Sequence, residues 1–166
     1  MENPGRTRSV YMRVPDHDEQ TGGETVPRQA SAGKVTWSPF PALLGMEVVE
    51  SAPGRATLRL PHAPGLLQPY GVWHGGVVFT LADSASGRAA HSLLDEGRRS
   101  VTLEMQINYI GAVRDEACIA TATVAHMGQS TMIVEAEVRT ESGRMVARAL
   151  ATFAILTPDA APFIPA

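Results

Sequence analysis

The run from Gly75 to about His91 reads as one helix that is apolar nearly all round, and this limits the possible folds more than any other feature of the chain. Val77, Val78, Phe79, Leu81, Ala82, Ala85, Ala89 and Ala90 are apolar. A helix that is apolar nearly all round is a buried one, so other elements must wrap it. One polar stripe survives at helical spacing: Thr80, then Asp83 and Ser84, then Gly87 and His91. A lone carboxylate in a buried helix is costly unless it is paired or used. Asp83 is therefore the first candidate for a functional side chain, and the helix that carries it opens on two glycines, Gly75 and Gly76, directly after His74.

The flanking sequence supplies the wrapping. Trp37 to Gly45 predicts a short helix, with Pro41 suited to a first turn and Gly45 to a C-terminal stop. Met46–Glu50 and Arg55–Leu60 read as extended runs about the turn Ala52-Pro53-Gly54. A proline-rich loop from Pro61 to Tyr70 leads to the central helix, and Glu96-Gly97-Arg98-Arg99 forms a charged turn after it. Four extended segments follow, at 100–110, 117–127, 131–140 and 145–156, with turn signals at Gly111, Gly128 and Ser142-Gly143. In the first of these, Val101, Leu103, Met105 and Ile107 alternate with Thr102, Glu104, Gln106 and Asn108, which predicts two faces of opposite character. One buried helix held by a curved antiparallel sheet, an α+β fold, follows from this order.

Length and charge narrow the function. The 166 residues fit one domain, and 44% hydrophobic residues are enough for a core. Residues 1–34 are polar, broken by Pro4, Pro15 and Pro27, and read as a flexible tail. The domain is expected at 35–158 and a short C-terminal tail at 159–166. A net charge of −3 without a basic cluster argues against nucleic acid as a partner. No stretch reaches the ~20 continuous apolar residues of a membrane span, and no hydrophobic signal core precedes the domain. The one cysteine, Cys118, rules out an intrachain disulfide and suits a reducing cytoplasm; in an alternating strand it is expected to be buried and inert. His17, His62, His91 and His126 lack mutual ligand spacing, so no metal site is expected.

Gln68-Pro69-Tyr70-Gly71-Val72-Trp73-His74-Gly75-Gly76, followed by Leu81-Ala82-Asp83, resembles the PaaI-type acyl-CoA thioesterases of the hotdog-fold superfamily. The segments 101–110 and 147–153 are also similar to strands of that family, and the match spans roughly residues 38–156. The resemblance implies a helix wrapped by a sheet, assembled as homodimers and further as homotetramers. It implies hydrolysis of the thioester between an acyl group and coenzyme A. No metal or redox cofactor is implied; coenzyme A is part of the substrate.

By the same resemblance Asp83 is the catalytic carboxylate, either attacking the thioester carbonyl or acting as general base on a water. Gly75 supplies the backbone N–H that polarises the carbonyl, at a helix N-terminus where such groups lack partners. His74 orients the loop or helps to hold the carbonyl, and the Thr102 hydroxyl helps to place a water. Gln68 stands where relatives carry Asn, and with Gly76 belongs to the substrate-binding set. Gln129 and Ser130 fall at the turn near the coenzyme A phosphates, where relatives carry a basic residue; Arg98, Arg99, Arg114 and Arg148 are the alternative cations. Trp73, Tyr70 and Phe79 hint at a pocket for an aromatic or medium-chain acyl group.

Helix geometry adds a constraint. Eight residues of helix separate Gly75 from Asp83, roughly 12 Å along the axis. One carbonyl carbon cannot meet both in a single subunit, so if both act on one bond the active unit is at least a dimer. Two rival functions remain: acyl-thioester hydration or dehydration on the same fold, and non-catalytic acyl-CoA sensing. Hydratases and dehydratases place an Asp and a His in a different segment pattern. A sensor that represses transcription needs a DNA-binding segment, and residues 1–34 show neither helical periodicity nor a basic face.

Overall fold

The computed structural model describes residues 39–157. In chain order the elements are α1 (Pro39–Leu43), β1 (Glu47–Ala52), β2 (Arg55–Leu60), a 3-10 turn (Pro64–Leu66), α2 (Gly75–His91), β3 (Arg99–Tyr109), β4 (Cys118–Met127), β5 (Thr131–Thr140) and β6 (Met145–Leu156). These match the expected helix and strands to within a residue or two at their ends. Both predicted tails, 1–34 and 159–166, lie outside the described residues, as does the Trp37 end of the first helix. Gly45 ends that helix at φ +75 and Gly54 makes the β1–β2 turn at φ +72, backbone angles that side chains with a Cβ rarely adopt.

The strands form one antiparallel sheet in the order β1-β2-β4-β5-β6-β3. Strands β4, β5 and β6 are a meander. Strand β3 comes before them in sequence yet pairs with β6, which leaves β3 at one edge. Helix α2 links β2 to β3 and lies across the sheet, packed mainly on β4, β2 and β5. Leu81, Ala82, Ala85, Ala89 and Ala90 are fully buried against Leu58, Leu60, Met132, Val134 and Phe153. The four alanines let the helix axis come close to the strands. Truncating Leu81 there would cost about 2–5 kcal/mol.

Two expectations change. Helix α2 is not covered all round: Val77, Phe79, Thr80, Asp83, Ser84 and Gly87 are only half-buried. The sheet leaves these residues only partly covered, although Asp83 still reaches Thr102 on β3 and Gly87 lies beside Phe153 on β6. Strand β3 also does not alternate as its hydropathy predicts. Thr102 pairs with Phe153 and Glu104 with Thr152, so Leu103 is an extra residue, a β-bulge. The bulge reverses the parity of the strand. Thr102, Met105, Ile107 and Tyr109 stand opposite Phe153, Ala151, Ala149 and Ala147, the buried face of β6. Thr102 thus shares the helix-facing side with Met105, while Val101 and Leu103 remain 42% and 52% exposed.

Candidate active site

The site begins at the first turn of α2. His74 precedes it in an extended conformation (φ −66, ψ 135), and its ring nitrogen Nδ1 accepts from the N–H of Gly76 at 3.0 Å. The ring thus caps the helix as a Ser or Asp side chain usually does. The His74 carbonyl accepts from Val77 N–H at 2.9 Å and from Val78 N–H at 3.4 Å. The N–H of Gly75 has no hydrogen-bond partner among the described residues. It stands at the positive end of the helix dipole, which favours an oxygen that gathers negative charge. Two hydroxyls hold the same turn. Tyr109 Oη donates to the Gly75 carbonyl at 3.0 Å, and Thr80 Oγ1 to the Gly76 carbonyl at 2.8 Å.

Two turns further along α2, Asp83 faces β3 rather than the sheet interior. The Thr102 hydroxyl donates to Asp83 Oδ1 at 2.9 Å. Burial pushes the Asp83 carboxyl above its ordinary value, and the bond from Thr102 pulls it part of the way back. No cation pairs with Asp83 among the described ion pairs. A half-buried carboxylate with one neutral donor and no counter-ion is a good base and a good nucleophile, because little of its charge is neutralised.

Beside Gly75 a cavity of about 400 Å³ opens between the start of α2, the end of β3 and the loop that follows β3. Gln68, Trp73, Val78, Tyr109, Val113 and Val146 are among its walls. Gln68 and Gly75, both expected in the site, are thus brought together. Of the three aromatics expected to line a pocket, only Trp73 does so: Tyr70 is 83% exposed, and Phe79 is absent from the lining. Trp73 is held by a bond from its indole Nε1 to His62 Nδ1 at 3.3 Å.

The remaining expected residues sit elsewhere. His74 does not line the cavity; its role in the structure is the cap. The N–H of Gly76 is taken by that cap. Gln129 and Ser130 are exposed in the β4–β5 turn, where Arg98 donates to the Gln129 carbonyl at 3.4 Å. Arg148 lies on the outer face of the sheet, ion-paired with Glu137 at 2.6 Å, and Arg99 and Arg114 are exposed. Cys118 is buried. Among the described residues, no three His, Cys, Asp or Glu side chains are grouped to hold a metal. No described helix is long and apolar enough to cross a membrane.

Tyr109 was missed by the sequence reading. Its only signal was position, as the aromatic residue ending the strand that also carries Thr102; its contact with Gly75 spans 34 residues of chain.

A model of the thioesterase superfamily matches residues 70–147, from the loop before α2 into β6. Among solved structures, a thioesterase family protein of Silicibacter pomeroyi is 32% identical with a TM-score of 0.69, over 72% of this chain and 90% of that one. A conserved protein of Pseudomonas aeruginosa is 42% identical with a TM-score of 0.69, over 72% of this chain and 95% of that one. The 1,4-dihydroxy-2-naphthoyl-CoA hydrolase of Listeria monocytogenes is 28% identical over 112 residues, which cover 68% of this chain and 91% of the hydrolase.

Proposed function

The chain belongs to the thioesterase superfamily and is a thioester hydrolase of the hotdog fold, and from that premise we propose that it hydrolyses acyl-coenzyme A carrying a medium-chain or aromatic acyl group. The observation that carries this reading is the pair formed by Asp83 and the N–H of Gly75, which is free among the described residues, on one helix. The first supplies the attack and the second stabilises the oxyanion that the attack creates. The name of the Listeria relative, a naphthoyl-CoA hydrolase, supports an aromatic acyl-CoA.

In the proposed reaction the thioester carbonyl oxygen accepts from Gly75 N–H. Asp83 either takes a proton from a water that attacks the carbonyl carbon, or attacks that carbon itself to give an anhydride that water opens. The C–S bond breaks, the thiolate leaves and takes up a proton, and the products are the free acid and coenzyme A. Thr102 holds one carboxylate oxygen and leaves the other for the attack. The reaction needs no metal or redox cofactor. Single turnover in heavy-oxygen water tests the second route: label in Asp83 requires an anhydride that water opens at the Asp83 carbonyl, whereas the first route puts the label only in the acid.

The spacing along α2, about 12 Å from Gly75 to Asp83, supports a site whose two groups come from two protomers. Strand β3 supports such an assembly. It is an edge strand of 11 residues, with apolar Val101 and Leu103 exposed, and an edge of that kind is a template for pairing with a second strand. A homodimer through β3 is the minimal active unit of this proposal, and a homotetramer is its doubling. A cytoplasmic enzyme without membrane or nucleic-acid partners completes the reading.

The test is a thiol-release assay on a panel of acyl-CoAs with wild type and Asp83→Asn. Expected is hydrolysis by wild type and a loss of about a hundredfold or more in the variant, as for removal of a group that acts in the transition state. Equal rates would remove Asp83 from the chemistry, and no hydrolysis of any member would overturn the substrate class.

A further inference from the structure

We propose that Tyr109 sets which acyl groups the enzyme accepts, as the displaceable wall of the cavity beside Gly75; this rests on the acyl-CoA reading above. The cavity first has to be suited to the acyl group rather than to the coenzyme A arm. That arm carries amides and phosphates, which need polar partners and cations. The cavity offers little of either. Its walls include Trp73, Val78, Val113 and Val146, all less than 5% exposed, and no charged side chain lines it.

The backbone beside it is largely occupied too. Ile110 N–H and Gly111 N–H both donate to the Val146 carbonyl, at 2.8 and 3.1 Å. The Val113 carbonyl accepts from Trp73 N–H at 2.8 Å, and the Ala112 carbonyl from Arg144 at 2.7 Å. Gln68 is the one polar side chain in the lining apart from the Tyr109 hydroxyl and the Trp73 indole N–H, which His62 takes up. An apolar chain or ring is what such a surface stabilises.

Tyr109 differs from the core walls. It is the last residue of β3 and in the single chain is 54% exposed, as its neighbour Ile110 is at 59%, whereas Trp73, Val78, Val113 and Val146 are locked in the core. One hydrogen bond, to the Gly75 carbonyl, fixes its tip. Its ring lies so close to Gly75 that a Cβ there would stand 3.5 Å from Cζ. A thioester whose carbonyl sits on Gly75 N–H therefore has the Tyr109 ring as a neighbour. The ring can be removed or enlarged without disturbing the core, and the space available to the acyl group changes with it.

The test measures binding apart from hydrolysis. S-alkyl-CoA thioethers of increasing length, which have no thioester carbonyl to cleave, are titrated calorimetrically into wild type, Tyr109→Ala and Tyr109→Trp. In wild type, affinity should rise with alkyl length to a limit and then fall. Tyr109→Ala should move that limit to longer chains and bind the first chain beyond it about tenfold more tightly, the scale of a methylene in a shaped pocket. Tyr109→Trp should move it to shorter chains. The same profile in all three proteins would overturn the proposal. So would one uniform factor of weakening across the series, which is what mere structural damage gives, or the absence of any length dependence in wild type. If Tyr109→Ala does not fold, Tyr109→Trp decides alone. Failure of wild type to hydrolyse acyl-CoAs in a parallel assay counts against the reaction proposed above, while the thioether profile still decides the role of Tyr109.

Discussion

The Thr102 hydroxyl reaches Asp83 Oδ1 at 2.9 Å, and it does so only because Leu103 is a bulge. This bond favours the ionised carboxylate against the burial that disfavours it. Removing the hydroxyl leaves burial unopposed, so the Asp83 carboxyl should rise further. In Thr102→Val the acid limb of the rate profile should therefore move to higher pH, with the neutral-pH rate reduced by about tenfold, as expected for a lost hydrogen bond to a charged group. Kinetics across the acid range check both. An unmoved acid limb would mean that Thr102 does not govern the charge on Asp83.

The same raised carboxyl makes a statement about stability. A group whose folded-state pKa lies above its unfolded value favours folding below the unfolded value, and that advantage is lost as pH rises through the folded one. For Asp83 the unfolded value is near 3.8 and the folded value is higher. At neutral pH wild type holds an ionised, half-buried carboxylate at a cost. Asp83→Asn should therefore melt higher than wild type at neutral pH, by roughly a few degrees, and this lead should shrink as pH falls towards the unfolded value. Calorimetry across that range checks it. A variant that is less stable at neutral pH would show that the charge is held favourably.

How much of this was legible in the sequence follows from these residues. Asp83 was conspicuous because a carboxylate interrupts an apolar helix, and the glycine start of that helix is equally plain. The side of β3 that carries Thr102 was misread. A bulge adds one residue to one strand, and Leu103 is as apolar as Val101, so hydropathy keeps alternating while the backbone does not. The open flank of α2 was also hidden: Val77 and Phe79 look like core, and only the limited width of the sheet shows that they are not fully covered. The cavity depended on contacts between residues far apart in the chain, Tyr109 with Gly75 and Trp73 with Val113, which no local pattern records.

Cys118 has no part in the site. It is buried at the start of β4, and its thiol is pushed up to about 12, first by burial and then by the nearby charge of Glu116. The thiolate is the reactive form, so thiol reagents should leave the native protein unlabelled and fully active at pH 8. One equivalent should react once the chain is unfolded. Mass spectrometry before and after denaturant gives the answer, and rapid native labelling would contradict the packing around β4.

The dimer edge can be tested by charge. Leu103 is 52% exposed on an edge strand, and a lysine there blocks strand pairing without touching the core. Leu103→Lys should keep its secondary structure, sediment as a monomer and lose activity together with assembly. A monomer with wild-type turnover would refute the two-protomer site.

The sharpest consequence of that site is complementation. Gly75→Pro deletes the N–H while keeping a residue suited to the first helical position. His74 already has the extended backbone that a residue before proline requires, and a Cβ at position 75 would meet Tyr109 only at ordinary contact distance. Gly75→Pro and Asp83→Asn should each be nearly inactive. A mixed dimer, however, joins the intact Gly75 of one chain to the intact Asp83 of the other, and so holds one working site of two. With random reassembly half of the dimers are mixed, and activity should recover to about one quarter of wild type. Unfolding and refolding the two variants together, then assaying against each refolded alone, provides the measurement. If both groups of a site came from one chain, every mixed dimer would be as inactive as its parents, and no recovery would follow.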